Sequence, residues 1–412
     1  MDDESFQPTH LDLLTGIKPL VENFTNSTDE LCFEKLPEFG MGERKTIEAL
    51  APVVFGGAAH LGAAHAFAHM DPPTPWITWI TTLWNASLNQ NLLHPDVSPK
   101  AAIFEKHVIK WLAPFYKMTG GHMTPGSTIS NLTALWVARD TARIDRIVTS
   151  MDSHLSIQKA ANILGLKLLK LRTNLKGEID INEIPQDLST SALVLTAGTT
   201  ASGAIDDLST KKDAAWLHID AAWAGPLQLS ENFTNILDGI ENADSVSISG
   251  HKWFFQPKES GLIFFKDVCK ANKTISASSG YLTTKNVGIL GSHGAIALPL
   301  MATLIAWGKT GLIERLERSM NLSIQLWEKL NENSEITVFN KPTTGVVLWR
   351  LNTHNQTKEL FSLLPTGSAS FIEYKNQFWI RNVAANPSVD VDVLWKNIHR
   401  ALIKLKNKEP NY

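Results

Sequence analysis

The sequence predicts an α/β protein, a large domain with a mainly parallel sheet followed by a small C-terminal α/β domain. Between residues 100 and 270, helical stretches alternate with short β-rich runs: Arg146–Ser150, Ala192–Thr196, Trp216–Asp220, Ser245–Ser249 and Gly261–Phe265. Short strands separated by helical patterns pair in parallel with helices wrapped around them. Several of these runs are followed at once by polar or charged residues, at the sheet edge where α/β folds present ligand-binding groups. At 412 residues the chain exceeds one ordinary domain. With 43% hydrophobic and 19% charged residues it has the make-up of a folded globule, not of a disordered chain.

Taken in order, residues 1–50 read as an N-terminal helical segment, because Leu11, Leu14, Ile17 and Leu20 recur at helical spacing. Residues 51–310 form the large domain and 311–412 the small one. The Gly- and Ala-rich stretch 56–69 has the composition of a tightly packed segment or a subunit contact. His65 and His69, four apart, would share one helix face; with no Cys or carboxylate at ligand spacing they predict packing or substrate contact, and no metal site. Pro72, Pro73 and Pro75 punctuate the chain before another apolar helix. Its Trp76, Trp79 and Trp84 suit a core or dimer-interface stripe, or the lining of an aromatic pocket. A long helical region near 295–332, a β-rich stretch at Thr344–Arg350 and an amphipathic helix from about residue 389 complete the chain.

Composition excludes several function classes. Thirty-eight Lys+Arg against 41 Asp+Glu give a formal charge of −3, no general electrostatic grip on nucleic acid or an anionic membrane. Cys32 and Cys269 can build neither a disulfide framework nor a cysteine-rich metal site, and read as reduced thiols of a cytoplasmic protein. The acidic start, Met1–Glu4, leads into no apolar run, so no signal peptide is expected and the Asn-x-Ser/Thr triplets at Asn23, Asn26 and Asn85 read as chance. The longest apolar run, Ala295–Trp307, contains Pro299 and is too short to span a bilayer.

Four local features carry chemistry. Ser249–Trp253 (SGHKW) places Lys252 directly after a strand. A lysine there is either an ordinary surface charge or a desolvated amine able to form a Schiff base with a carbonyl. His218–Ala222 (HIDAA) closes another strand, and its Asp220 either starts a turn or holds a pyridine nitrogen protonated. His218 points to the same side of its strand as Asp220 and could orient it. Thr124–Asn131 (TPGSTISN) opens a helix with Gly126, Ser127 and Thr128, which is either a plain cap or an anion cradle. It lacks a P-loop lysine and dinucleotide-fingerprint spacing, so ATP and NAD fit poorly. His154 follows the strand ending at Ser150, and Thr200 follows the one ending at Thr196. Lys258 and Lys266 flank a strand and read as solvated charges. Asp71, beside His69, could receive a distal ammonium or cap the turn at Pro72.

In this order, TPGSTISN, SHLSIQKA, LTAGTTASGAID, HIDAAWAG and SGHKW resemble the group II pyridoxal-phosphate (PLP) decarboxylases of fold type I, over residues 55 to 390. The resemblance implies a PLP-dependent transferase fold and decarboxylation of an L-amino acid to its amine and CO₂. Lys252 would bind PLP covalently, Asp220 would pair with the pyridine nitrogen, His154 would stack on the ring and Ala222 would pack its other side. Ser127, Thr128, Thr200, Ser249 and His251 would surround the phosphate or the ring edge. His69, Met70 and Asp71 fall where the family has a substrate-facing loop, with Asn91 or Leu93 contributed from the partner subunit. Arg381, in Trp379–Pro387, matches the arginine that binds the α-carboxylate. Ser292 matches a loop reaching the neighbouring subunit's phosphate, which implies a homodimer with interfacial active sites, embraced by residues 1–50. Two departures stand out. The loop of the family's catalytic tyrosine is shortened to the segment between Gly280 and Gly291, leaving Tyr281 as candidate proton donor beside His154 and Lys252. His293 also stands where many members have arginine. The substrate is aromatic or a short diamino acid. Alternatives are a PLP enzyme cleaving another bond, by oxidative decarboxylation, transamination or aldol-type lysis, or a decayed homologue acting as a binding subunit.

Overall fold

A computed structural model of the chain describes residues 8–21, 35–210 and 213–407. Cys32, Asn23, Asn26 and Met1–Glu4 lie outside the described residues. The chain divides into two compact units, Met1–His60 and Leu61–Tyr412. The first contains α1 (His10–Ile17) and α2 (Glu43–Gly56). The Thr9 hydroxyl accepts from the Asp12 N–H while the Asp12 carboxylate accepts from the Thr9 N–H, a reciprocal cap that starts α1.

In the second unit, residues 61–75 run as turns and extended chain rather than helix, so His65 and His69 do not share a helix face. Three prolines within four positions remove the N–H groups a helix needs. The Gly- and Ala-rich residues 57–62 are exposed rather than tightly packed. Helices α3 (Trp76–Leu88) and α4 (Ala101–Leu112) precede the central sheet. Its strands are β1 (Gly120–Thr124), β2 (Arg146–Ser150), β3 (Lys167–Leu171), β4 (Ser191–Thr196), β5 (Trp216–Asp220), β6 (Ser245–Ser249) and β7 (Gly261–Phe265). They are ordered β1-β7-β6-β5-β4-β2-β3. β7 alone runs against the rest, antiparallel to both neighbours. The inner strands β4, β6 and β7 are buried at every residue, as a sheet covered on both faces requires. Helices α5 (Ser127–Ala142), α6 (Leu155–Leu164) and α7 (Val268–Ile275) belong to this layer.

A short ribbon, β8 (Ser276–Ala277) with β9 (Asn286–Val287), leads to the long helix α8 (Ala297–Asn331), which is kinked at Gly308. The second sheet is antiparallel, ordered β10-β11-β13-β12, from β10 (Thr337–Val338), β11 (Val346–Arg350), β12 (Ser370–Tyr374) and β13 (Gln377–Val383). Lys375 and Asn376, at φ 51° and 60°, make the tight two-residue turn between β12 and β13. Helices α9 (His354–Ser362) and α10 (Val391–Lys406) accompany it, their apolar residues forming one core with its strands. No helix among the described residues is long and apolar enough to cross a membrane.

This topology gathers the ends of β1, β2, β4, β5 and β6 along one edge of the central sheet. The start of β7 lies there too, because Gly261 is in register with both Thr124 and Ser249. The chain's chemistry sits on that edge.

Candidate active site

Asp220 is the last residue of β5 and only 3% exposed. Its Oδ1 accepts from the Ala222 N–H at 3.1 Å and its Oδ2 from the Asn131 amide at 2.8 Å. Both oxygens accept, the pattern of an ionised carboxylate. Lys252 follows the end of β6 in a turn held by Gly250 N–H and His251 N–H, which both donate to the Ser260 carbonyl. Burial pushes the Lys252 ammonium below lysine's ordinary range; it feels Asp220 and Asp71 as attractive charges and Lys258 and Arg381 as repulsive ones. It makes no salt bridge among the described residues.

Two tryptophans hold these turns in place. Trp223, just beyond Asp220, and Trp253, beside Lys252, stack with centroids 4.0 Å apart. Their indole N–H groups donate to the Thr344 and Ala384 carbonyls beside β11 and β13. The second sheet thereby braces the two loops that carry the carboxylate and the amine.

The TPGSTISN segment has the glycine turn and open helix start that an anion cradle needs. Gly126, at φ 117°, turns the chain from β1 into α5, and no side chain caps that helix. The N–H groups of Ser127 and Thr128 are therefore available to a ligand, while those of Ile129 and Ser130 donate to the Gly126 carbonyl. The Ser249 hydroxyl donates to Ser127 at 2.8 Å, while His251 donates from Nδ1 to the Ser260 carbonyl at 3.0 Å, leaving Nε2 free to accept. A Cβ on Gly261 would come within 2.6 Å of the Gly126 backbone, so only glycine lets β7 begin so close to the cradle. Thr128 and Thr200 are exposed near this edge, and Ala222 is buried. His154 caps α6 and accepts at Nδ1 from the Ser156 N–H. Burial lowers its pKa, opposed by Asp220 and reinforced by Lys252.

Arg381, in β13, is 5% exposed. One of its terminal nitrogens donates to the Ala68 carbonyl at 3.3 Å, and Nε is buried without a partner. Desolvation pulls its pKa down to about 10. A buried guanidinium so poorly paired suits an arriving carboxylate. The same loop carries buried Met70, exposed His69 and half-buried Asp71. Lys258 is not a free solvated charge, since it is ion-paired to Asp71. Lys266 also has a partner, the Glu241 carbonyl.

The chain does not bring two predicted residues to this centre. Tyr281 is 68% exposed and lies 6.0 Å from the His94 ring, centroid to centroid. Ser292 is exposed and accepts from the Asn91 amide. Asn131 joins the site although nothing local in the sequence marks it as more than the end of the TPGSTISN motif, because its contact with Asp220 spans 89 positions of chain. A separate cavity of about 550 Å³, lined by Glu105, His122 and His293 among others, includes neither Lys252 nor Asp220.

The buried histidines make stability pH-dependent. His122, His218 and His251 are pushed down to about 4 by burial, whereas Asp206 is pushed up to about 6. Between their ordinary value near 6.5 and 4, the unfolded chain takes up three protons that the folded chain refuses. Asp206, Glu105 and Asp244, whose carboxyls burial raises, oppose this with protons held by the folded chain, while His154, also lowered by burial, adds to the histidines. The net sign makes stability fall as pH drops through that window. A melting temperature that stays flat or rises from pH 6.5 to 4 would contradict these assignments.

The residues fit PLP: an unpaired desolvated amine for its aldehyde, a buried carboxylate for its ring nitrogen and an uncapped helix for its phosphate. Comparison with known proteins agrees. The family model described as the pyridoxal-dependent decarboxylase conserved domain matches residues 29–352. An L-2,4-diaminobutyrate decarboxylase of Rhizobium meliloti is 27% identical over 351 residues, 77% of this chain and 71% of that protein. An aromatic-L-amino-acid decarboxylase of Bacillus atrophaeus is 24% identical over 353 residues, 77% of this chain and 73% of that one. A crystal structure of Oryza sativa TDC with PLP and tryptamine superposes with a TM-score of 0.84 at 18% identity, covering 98% of this chain and 99% of the other.

Proposed function

Because this chain belongs to the pyridoxal-dependent decarboxylases, a family of PLP enzymes acting on amino acids, we propose that its substrate is a short diamino L-amino acid. The observation that carries this is the Lys258 ammonium on Asp71. Asp71 already receives one alkylammonium, in a loop whose backbone also meets Arg381. A distal substrate ammonium exchanging with Lys258, while Arg381 takes the α-carboxylate, would span that subsite. The diaminobutyrate-specific relative supports this choice. An aromatic substrate is the second reading, favoured by buried Met70 and by the aromatic-acid relative.

PLP, when bound, supplies the electron sink that lets the α-carboxylate leave as CO₂. The chain's own residues do the rest. Lys252 offers a neutral amine at lower cost than an exposed lysine, because burial has weakened its hold on the proton. Asp220 keeps a negative charge at the ring-nitrogen position, and the uncapped start of α5 with Ser127, Thr128 and Ser249 receives the phosphate. His154 would cover one ring face, with Thr200 and His251 at the margin. Arg381 orients the carboxylate that departs.

We place the active sites in a homodimer. Trp76, Trp79 and Trp84 on α3 are 67%, 41% and 53% exposed, an apolar face that a second copy would cover. Tyr281 and Ser292 would then act at the partner's site, not their own. The two-cysteine composition supports a cytoplasmic setting.

The test is a visible spectrum of the purified protein, followed by CO₂ measurement with diamino, aromatic and acidic L-amino acids. CO₂ from 2,4-diaminobutyrate or a near homologue supports the proposal; CO₂ from aromatic acids alone moves the assignment to the second reading. Asp220→Ala is expected to keep cofactor on Lys252 yet lower kcat by roughly 10²–10³-fold, the size of losing one preorganised electrostatic partner. An unchanged rate would remove Asp220 from the ring-nitrogen position.

A further inference from the structure

Asn131 is fully buried on α5, and none of the roles assigned so far involves it. All four of its amide's hydrogen-bonding positions are filled. Nδ2 donates to Asp220 Oδ2 at 2.8 Å and to Ser156 Oγ at 2.9 Å. Oδ1 accepts from Ser247 Oγ and faces His218 Nε2 at 3.0 Å.

Only one orientation of this amide is tolerable. Turned over, its carbonyl would meet a carboxylate oxygen at hydrogen-bond distance with no proton between them. With Nδ2 on Asp220, Oδ1 must face His218, whose Nε2 must then carry a proton. His218 Nδ1 lies 2.9 Å from Ser245 Oγ, which in turn accepts from the Trp216 indole N–H. The Ser245 carbonyl also faces Nδ1, at 3.2 Å. Because burial keeps His218 neutral near pH 7 and Nε2 holds its one proton against Asn131, Nδ1 accepts from the closer Ser245 hydroxyl and does not donate to that carbonyl. On the other branch, Ser156 Oγ accepts from Asn131 and has its own proton free for His154 Nδ1, 2.9 Å away. The Ser156 N–H donates to the same nitrogen. His154 Nδ1 is thus an acceptor twice over, and the proton of the neutral ring stands on Nε2.

We propose that Asn131 is a positioning residue that holds Asp220 as a pure acceptor and His218 as the Nε2–H tautomer, and that steadies through the Ser156 hydroxyl the His154 ring whose tautomer the Ser156 N–H fixes. One amide links Asp220, the carboxylate proposed for the ring nitrogen, to His218 and, through Ser156, to His154. The consequence for catalysis rests on the proposed roles of Asp220 and His154, whereas the tautomers are properties of the chain alone.

The experiment is nitrogen NMR of histidine-labelled full-length protein without cofactor, followed by a pH titration of the visible band after loading with PLP. In the wild type, His218 and His154 should both carry Nε2–H at neutral pH. Asn131→Leu keeps the side-chain size and removes the amide; it should release the His218 tautomer, displace the band's titration and lower kcat by about 10- to 100-fold with little change in KM. His154, whose Nδ1 still accepts from the Ser156 N–H, should keep Nε2–H. The titratable groups around Asp220 that could report in that titration are His154, His218 and Lys252. Thr133→Val, a buried change on the same helix away from Asp220, controls for simple loss of packing and should leave both tautomers in place. If Asn131→Leu does not fold, Asn131→Asp serves, since two facing carboxylates must then share a proton. Nδ1–H on His154 or His218 in the wild type, or a band titration unchanged in the variants, would overturn the proposal. Failure to release CO₂ from any amino acid would instead count against the functional reading and leave the tautomer result standing.

Discussion

Lys252→Ala is expected to lower CO₂ release by at least about 10⁴-fold, the upper end of what removing a group that handles a substrate proton costs. The loss should exceed that of any other single substitution, because the amine has two tasks that no neighbour can assume. It would hold the cofactor covalently and would give up that bond when the substrate's amine binds. His154 and His251 lie close enough to feel its charge, but an imidazole cannot form that linkage. The variant should nevertheless fold. Lys252 makes no salt bridge among the described residues, and the turn around it is held by backbone bonds from Gly250, His251 and Phe255 and by the Trp223–Trp253 stack. Deleting a desolvated, unpaired ammonium should leave the melting temperature unchanged or raise it. Reduction with borohydride followed by mass mapping gives an independent readout. The wild type should carry a cofactor adduct on the peptide containing Lys252, and the variant none. Residual turnover near wild type, or an adduct elsewhere, would overturn the assignment.

Lys252 and Asp220 are placed by local sequence just beyond and at a strand end, which leaves each with an ordinary reading beside the functional one; the ordered motifs around them, by their resemblance to a family, choose between the two. The central β-rich runs are legible from local sequence too: β2, β4, β5, β6 and β7 are short and each carries β-branched or aromatic residues between helical patterns. β1 and β3 are not. β1 begins with two glycines, and a Cβ on Gly121 would fall 1.8 Å from the Ile263 carbonyl oxygen, so its identity depends on a partner strand far along the chain. β3, Lys167–Leu171, mixes lysine and leucine at a partly exposed edge and resembles a helix turn as readily as a strand. The parts played by Asn131 and Lys258 are hidden in the same way. Their partners, Asp220 and Asp71, are remote in sequence, and no spacing rule connects them. Around His65 and His69 the four-residue spacing misleads, because Pro72, Pro73 and Pro75 just beyond them outweigh it and keep the segment extended.

Arg381→Met is expected to separate binding from stability. Arg381 is buried, Nε has no partner, and its bonds to the Ala68 carbonyl and Ser370 hydroxyl are long, at 3.3 and 3.5 Å. In the free protein this cation is a liability, because burial of a charge is offset only by close pairing. Methionine fills a similar volume without the charge, so the melting temperature should rise. With substrate present the balance reverses. A carboxylate arriving at the guanidinium makes charge-assisted bonds worth about 1.5–3 kcal/mol, so kcat/KM should fall about 10- to 150-fold in the variant. The product amine, which has no carboxylate, should bind wild type and variant alike. That pairing of results, weaker amino acid binding with unchanged amine binding and a more stable fold, distinguishes a carboxylate receptor from a packing residue. If Arg381 only tied the loop at Ala68 to the second sheet, the variant would melt earlier and lose affinity for both ligands. An arginine kept buried at a cost to the empty site is intelligible if the missing counter-charge belongs to the substrate.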